Sequence, residues 1–385
     1  MDFALTADQE RFAASAREVA ALIAPDYAAR ERDGRIDPEL AAEIGARGLI
    51  APELPTELGG QDAGHLTSGL VTEEIARGDF NVAYLQIIGS LAGHILSRHA
   101  HDAAARRWVP AITAGTARVG IGLSEPTAGS DAGNPALCAH RERGGWVLTG
   151  TKSMSFALDA AAAVVFARTD PDAGRGRGIT AFLLDLAELE EAGTARRERI
   201  DDLGTRAVGR GLVHLKNAWV PEDAVVGAEG QGFIQVMQGF DFSRALIGLQ
   251  CLAPASASVA ETWQYTRGRL AFDQPLSSFE GVAFPIAEAE TTIEAARLLC
   301  LRTLWLKDQG QPHTAEAAMC KWLAPKTAYE AINDCLLLHG QLGYTRTLPF
   351  EQRLRDVLGL QIGDGTAQIM KMIIARHRVG REFAP

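Results

Sequence analysis

One carboxylate in the chain stands where a catalytic group would be useful. Asp364 lies in the tail segment GLQIGDGTAQIMKMIIARH, between Gly363 and Gly365 and flanked by apolar runs. Glycine on either side lets a chain turn tightly and approach a ligand closely. Apolar surroundings raise a carboxyl pKa toward the range in which a general base works near neutral pH. The same position also has a reading without chemistry. Gly365, Thr366 and an apolar helix from about Gln368 follow it, so an N-cap alone would explain an Asp here. A second group of interest is the segment GLSEPTAGSDAG, from Gly122 to Gly133, which follows a strand with a turn dense in Gly, Ser and Thr. Such turns expose backbone N–H groups that can hold a phosphate or a ring carbonyl, and hydroxyls such as Ser124 and Ser130 add directed hydrogen bonds. Taken alone, it is equally a polar loop.

The elements that must position these groups fall into three regions. Residues 1–117 carry apolar residues at helical spacing, as in TADQERFAASAREVAALIAP and TSGLVTEEIARG, with an irregular break at APELPTELGG. Residues 118–228 read as short strands divided by Gly-rich turns: RVGIGLSE, GGWVLTGTKS, AAAVVFART, GITAFLLDL and GLVHLKNAWV. This predicts an antiparallel β domain, with RTDPDAGRGRG as an exposed hairpin loop. Residues 229–385 return to long amphipathic stretches suited to an antiparallel bundle. The fold class is therefore mainly α with a middle β domain.

Composition narrows the function. The chain has 385 residues, 47% of them hydrophobic, enough to bury a large core, and its formal net charge is −10. With no clustered basic run, nucleic acid and acidic membrane surfaces are poor partners. No stretch approaches the length of a membrane span, and the start MDFALTADQERF is acidic and amphipathic, which places the protein in the cytoplasm. The five cysteines are odd in number and widely spaced, as expected for reduced thiols packed in a core rather than for disulfides or a metal site.

Taken together, GLSEPTAGSDAG, GTKS at 150, LGTRA with VPED at 203 to 223, FDFSR at 240, RLAFDQPL at 269 and RDVLGLQIGDGTAQI at 355 occur in an order and spacing that resemble the acyl-CoA dehydrogenase family along essentially the whole chain. The resemblance implies an N-terminal helical domain, a middle β-barrel-like domain and a C-terminal four-helix bundle. It also implies FAD between the β domain and the bundle, and a homo-oligomer, tetramer before dimer. The implied reaction takes the α-proton of an acyl-CoA thioester with a carboxylate while the β-hydrogen leaves as hydride to flavin N5, after which electrons pass to electron-transfer flavoprotein. On this resemblance Asp364 is the base, and its own amide helps hold the developing enolate. Ser124 and Ser130 match hydroxyls beside the flavin, with Ser130 also near substrate, and Thr366 and Gln368 match contacts just after the acid. Arg269 and Phe272 match residues that reach the flavin of a neighbouring subunit. Arg244 matches an arginine near the carboxylate loop, where it either tethers the loop or forms a simple structural ion pair. Gly363 and Gly365 would border the acyl group.

The chain also departs from the family. Most members carry Glu where Asp364 stands, and a second known location for the acid is occupied here by Ser243. The shorter side chain loses about 1 to 1.5 Å of reach, in a reaction that needs contacts of about 3 to 3.5 Å. Relatives acting on cyclohexanecarboxyl-CoA and cyclohexenecarboxyl-CoA are similar in using Asp, and Gly363 replaces an aromatic residue, which should widen the pocket. The expected reaction is thus cyclohexane-1-carboxyl-CoA to cyclohex-1-ene-1-carboxyl-CoA. The alternatives are the corresponding diene-forming reaction, a short- or branched-chain dehydrogenase, and a flavin-bound scaffold without activity. On the flavin strand, counting from GTK puts Met154 and Phe156 at the family's contact positions, whereas a one-residue slip puts Ser153 and Ser155 there. Ser155 is taken as the flavin contact. Leu337, Gly340 and Gln341 stand where the family has its adenine-side residues, and the adjacent His339 is expected to be structural.

Overall fold

A computed structural model describes residues 4–385. The N-terminal region consists of α1 (Ala7–Ile23), α2 (Tyr27–Asp33), α3 (Pro38–Ala46), α4 (His65–Gly78), α5 (Tyr84–His99) and α6 (Asp102–Thr113). Helix α1 begins with a reciprocal capping box between Thr6 and Gln9, which satisfies two backbone donors that a helix start otherwise leaves open.

The middle region holds β1 (Val119–Gly122), β2 (Cys138–Glu142), β3 (Gly145–Met154), β4 (Ala162–Arg168), β5 (Ile179–Asp185), α7 (Leu186–Glu191), β6 (Ala195–Arg199), β7 (Gly211–Pro221) and β8 (Val225–Val226). They form one sheet in the order β6-β7-β3-β2-β4-β5-β8, with β1 added beside β4. The sheet is mixed, which corrects the antiparallel expectation: β1 runs parallel to β4, and β2 meets β4 in parallel at Cys138 and Arg168. Alternation in a sequence marks a strand but carries no information about the direction of its partner. Strand β4, AAVVFAR, is buried from Ala162 through Ala167, the continuous pattern of a strand covered on both faces.

The C-terminal region opens with α8 (Gly232–Gly268), 37 residues long, and continues through the hairpin β9 (Leu270–Ala271) and β10 (Gln274–Pro275) to α9 (Glu280–Asp308), α10 (Thr314–Leu338), α11 (Phe350–Gly359) and α12 (Ala367–Val379). Helix α10 touches α8, α9, α11 and α12, the other helices of this region. Every residue of α8 from Ser243 to Ala255 is buried, because α4, α5, α9 and α10 surround it. A helix covered all round shows no amphipathic stripe. No helix among the described residues is long and apolar enough to cross a membrane.

The three regions meet at consecutive residues of α11. The Arg355 guanidinium pairs with Glu31 of α2, donates to the Leu203 carbonyl at 2.8 Å and bonds Glu351 at 2.8 Å. The buried Asp356 carboxylate accepts from the Tyr27 hydroxyl at 2.5 Å, the Asn81 amide at 2.9 Å and the Thr205 N–H at 2.6 Å. The RD pair of the sequence is therefore a joint that closes the molecule before the chain reaches Asp364.

All five cysteines are free, and four are buried; Cys138, on β2, is exposed, contrary to the core packing expected of it. It lies on a strand face that looks to solvent.

Candidate active site

The loop after β1 is held from beneath by a buried ion pair. Lys152 Nζ, fully buried on β3, donates to Glu125 Oε1 at 2.7 Å and to the Leu123 carbonyl at 3.1 Å. The Glu125 carboxylate also accepts the amides of Ala136 at 2.7 Å and Leu137 at 3.0 Å. Burial pushes the Lys152 ammonium below its ordinary pKa, and Glu125 opposes that shift. One charge pair thus fixes both ends of the 122–137 segment, so the lysine of GTK and the glutamate of LSEP serve as frame rather than chemistry. The Ser153 amide completes the frame by donating to the Ser124 carbonyl at 2.9 Å.

That frame settles which way β3 faces. Lys152 and Phe156 turn into the core, Ser153 and Ser155 are partly exposed and line a cavity, and the buried Met154 borders that same cavity. Phe156, with a left-handed φ of 57°, is sealed away from it.

Opposite β3 lies the loop that joins α11 to α12. Asp364 has a left-handed φ of 55° and Gly365 a φ of 105°, conformations that Asp tolerates and Gly favours. At Gly365 the φ of 105° would strain any residue with a side chain, so glycine suits the position whatever the space around it. Gly363 is different: its φ is not left-handed, and a Cβ would meet nothing closer than 3.5 Å. The cap of α12 is Thr366, whose hydroxyl accepts from the Ile369 amide at 3.4 Å. Asp364 is thus not the N-cap, because it sits two residues too early and its side chain turns to the cavity instead.

The Asp364 carboxyl forms no hydrogen bond with other described residues, and its backbone N–H is also uncommitted. Burial raises its pKa above the ordinary carboxylate value, while the cations of Lys321 and Arg244 pull the other way. Arg244 is buried on α8, pairs with Asp241 at 3.2 Å and leaves its Nε unbonded. Asp241 is in turn held by the Thr314 hydroxyl at 2.6 Å. Arg244 therefore combines both expected roles in part: its ion pair is structural, and it reaches Asp364 only through its field.

Two cavities share the wall formed by Leu123, Ser124, Ser153, Arg210, Phe240 and residues 362–364. The smaller, about 340 Å³, is lined by Tyr84, Ile88 and Leu91 of α5, by Ser155 and by Asp364. The larger, about 1010 Å³, is lined by Ser130, Arg244, Gly365 and Thr366 among others. Together they have the size and the mixed lining of a site for a cofactor and a substrate. Of the residues singled out in the sequence, Ser124, Ser130, Ser155, Arg244, Gly363, Asp364, Gly365 and Thr366 are brought together here. Gln368 is exposed on the first turn of α12, and neither cavity includes it. Arg269 and Phe272 also lie outside both; Arg269 caps α8 at the foot of the β9–β10 hairpin, and Phe272 is 89% exposed at its tip. His339 is buried, stacks on Tyr265 and bonds the Cys335 carbonyl at 2.8 Å, as a structural histidine does.

Two wall residues and one buried lysine escape the sequence motifs. Tyr84, at the start of α5, is pushed well above its ordinary pKa by burial and then by the Asp364 charge. Arg210 bonds Asp202 at 2.8 Å and the Ser153 hydroxyl at 3.2 Å. Lys321, on α10, is a lysine inside the Ala-rich buried run TAEAAMCKWLA, which is a signal in itself, since such a charge needs a partner.

Comparison with known proteins gives a consistent result. Sequence profiles described as the N-terminal, middle and C-terminal domains of acyl-CoA dehydrogenase match residues 6–116, 120–218 and 230–378. The mitochondrial short-chain specific acyl-CoA dehydrogenase of Homo sapiens is 33% identical over 87% of this chain and 81% of its own length. Among solved structures, butyryl-CoA dehydrogenase from Megasphaera elsdenii superposes with a TM-score of 0.93, at 28% identity over 98% of this chain and 99% of that one. A chain from a structure of the electron transferring flavoprotein of Acidaminococcus fermentans gives 0.93 at 29% identity, covering 98% and 100%.

Proposed function

We propose, from the premise that the chain belongs to the acyl-CoA dehydrogenase family and is an oxidoreductase of that type, that Asp364 is the base that takes the α-proton of its acyl-CoA substrate. The observation that carries this reading is the state of Asp364: an enclosed carboxyl in a cavity wall, facing two cations, with neither its oxygens nor its amide spent on the protein. A base must accept a proton, and an amide meant for a developing enolate oxygen must be free to donate. The raised pKa makes the carboxylate a stronger base than an exposed aspartate, and the cations of Lys321 and Arg244 oppose that rise and favour the charged form.

The family's cofactor is FAD, which when bound supplies the acceptor for the β-hydrogen. The donor set fits such a group. The hydroxyls of Ser124, Ser130 and Ser155 and the turn of residues 122–133 line the cavities on one side, and Thr366 lies on the other. Gln368 would serve the outer end. Arg269 and Phe272 stand outside their own chain's cavity, which supports a role toward a second copy's FAD and hence a homo-oligomer, most simply a tetramer. Electron-transfer flavoprotein is the proposed recipient of the electrons.

For the acyl group we favour a ring, cyclohexane-1-carboxyl. Backbone geometry does not demand glycine at 363, so the missing side chain leaves room beside the short acid. A ring brings bulk directly to the α-carbon, where a side chain of lesser reach needs it. A second reading, a short linear acyl group such as butyryl, draws on the names of the relatives. Anaerobic flavin bleaching with cyclohexanecarboxyl-, cyclohexenecarboxyl-, butyryl-, isobutyryl- and octanoyl-CoA separates the two. Preference for the ring thioesters supports the first, and preference for butyryl-CoA the second. Asp364→Ala should keep flavin and bind ligand yet fail to bleach, and bleaching by that variant would remove Asp364 from the role of base.

A further inference from the structure

Lys321 lies nearly fully buried on α10, some forty residues from Asp364 in sequence. Its ammonium donates to the Leu360 carbonyl at 2.5 Å and to the Gly365 carbonyl at 3.2 Å. These two carbonyls mark the ends of the active-site loop. Leu360 is the C-cap of α11, whose terminal carbonyls lack helical partners, and Gly365 immediately precedes the cap of α12. Between them the loop has few other restraints: the amides of Gln361, Ile362 and Gly363 turn back onto the carbonyls of Leu358 and Gly359, and there the backbone bonding stops, just before Asp364. The left-handed Asp364 and Gly365 are therefore held from one side by α11 and across the loop by Lys321.

We propose that Lys321 is the positioning residue of the active site: by bridging the carbonyls of Leu360 and Gly365 it fixes the backbone that aims the Asp364 carboxyl and amide, and it places a positive charge on the same side as that carboxyl. A cation suits this place because it faces the negative end of α11 as well as the Asp364 charge. A neutral donor could serve one carbonyl but would supply no field. The ionisable groups that face the ammonium are Asp364 from the loop and Arg244 and Cys251 from α8. Burial pushes the Cys251 thiol up to about 12, so it stays neutral. Burial also lowers Lys321 to about 8, with Asp364 opposing that fall and Arg244 adding to it. Arg244 is balanced first by Asp241 and only then by Asp364, whereas Lys321 faces Asp364 and also grips the backbone that carries it.

The inference rests on Asp364 being the base, and the test keeps the two apart. The flavin-loaded wild type, Lys321→Met, Lys321→Gln and Asp364→Ala are compared for kcat, KM, flavin content and the pH dependence of kcat/KM with the best thioester of the panel. For Lys321→Met the expected result is a fall in kcat of about 10²-fold, the cost of a misplaced base, with KM changed by less than about threefold. Its acid limb should move up by about one pH unit, since an opposite charge close to a carboxyl lowers its pKa by at least that much. Lys321→Gln, which keeps a donor for one carbonyl, should recover part of kcat while leaving the limb displaced. An unmoved acid limb with kcat within about threefold of wild type overturns the proposal. So does a loss confined to flavin content or thermal stability, or the failure of both variants to accumulate as flavoprotein, since each describes a merely structural lysine. An active Asp364→Ala variant overturns the parent reading instead.

Discussion

Two aspartates eight residues apart, Asp356 and Asp364, are both enclosed and both raised in pKa, yet the protein treats them in opposite ways. Asp356 is saturated: a hydroxyl, a side-chain amide and a backbone N–H, drawn from two other regions of the chain, all point at its oxygens. Asp364 has charge nearby but no donor on it. A buried acid whose lone pairs are fully used is part of the frame, since any proton or ligand would have to displace an existing bond. One that is enclosed, countered by charge and left unbonded is available for chemistry. Asp356 is fully buried and Asp364 partly exposed at a cavity wall, and the hydrogen-bond inventory separates them further.

Exchanging the fates of the two residues by mutation tests this contrast. The largest effect is expected from Asp364→Ala, which should lower kcat by about 10²- to 10⁴-fold, the usual worth of a general base, while the melting temperature measured by calorimetry stays near that of wild type. Asp356→Ala should do the reverse. It leaves three buried donors unpaired, at a cost of about 3 kcal/mol or more, read as a lower urea midpoint and loss of flavin, with the kcat of the remaining loaded fraction preserved. Tyr27→Phe removes one donor and should cost about 1 to 2 kcal/mol by the same measurement. If Asp364→Ala proves as destabilising as Asp356→Ala, the contrast fails.

The smallest effect is one of pH. Asp356 is raised to about 7 chiefly by burial, with Asp79 and Glu31 adding to the rise and the Thr205 and Tyr27 donors opposing it. The folded protein thus holds this proton more tightly than the unfolded chain does. That contribution to stability is complete below the ordinary carboxylate range and is lost as pH rises through about 7. Melting curves of wild type and Asp356→Asn across this window should show the variant gaining on wild type as pH increases, and parallel curves would count against a raised pKa.

Much of this was legible in the sequence. The order of helices, strands and helices follows from periodicity, and Asp364 announces itself by standing charged between glycines in an apolar run. His339 reads as structural because a satisfied histidine is the commoner case, and its stacking on Tyr265 and bond to the Cys335 carbonyl agree. The parallel pairing of β1 with β4 was not legible, nor were the short strands β2 and β6, whose exposed residues carry little apolar alternation. The choice between Asp364 and Thr366 as cap needs the loop's dihedral angles, which two neighbouring capping residues leave open. Lys321 is visible as an oddity, but its purpose lies in two main-chain carbonyls that no side-chain pattern records. The same is true of Asp356, whose partners are drawn from residues 27, 81 and 205.

The β9–β10 hairpin, with its bare phenylalanine, has a genetic corollary. If Arg269 and Phe272 complete a neighbour's site, an allele that loses the base and an allele that loses the hairpin are defective in different halves of one composite unit. Expressed together, they would reconstitute some intact sites in mixed assemblies, whereas two hairpin-defective alleles would not. Intragenic complementation would then follow from an ordinary surface loop.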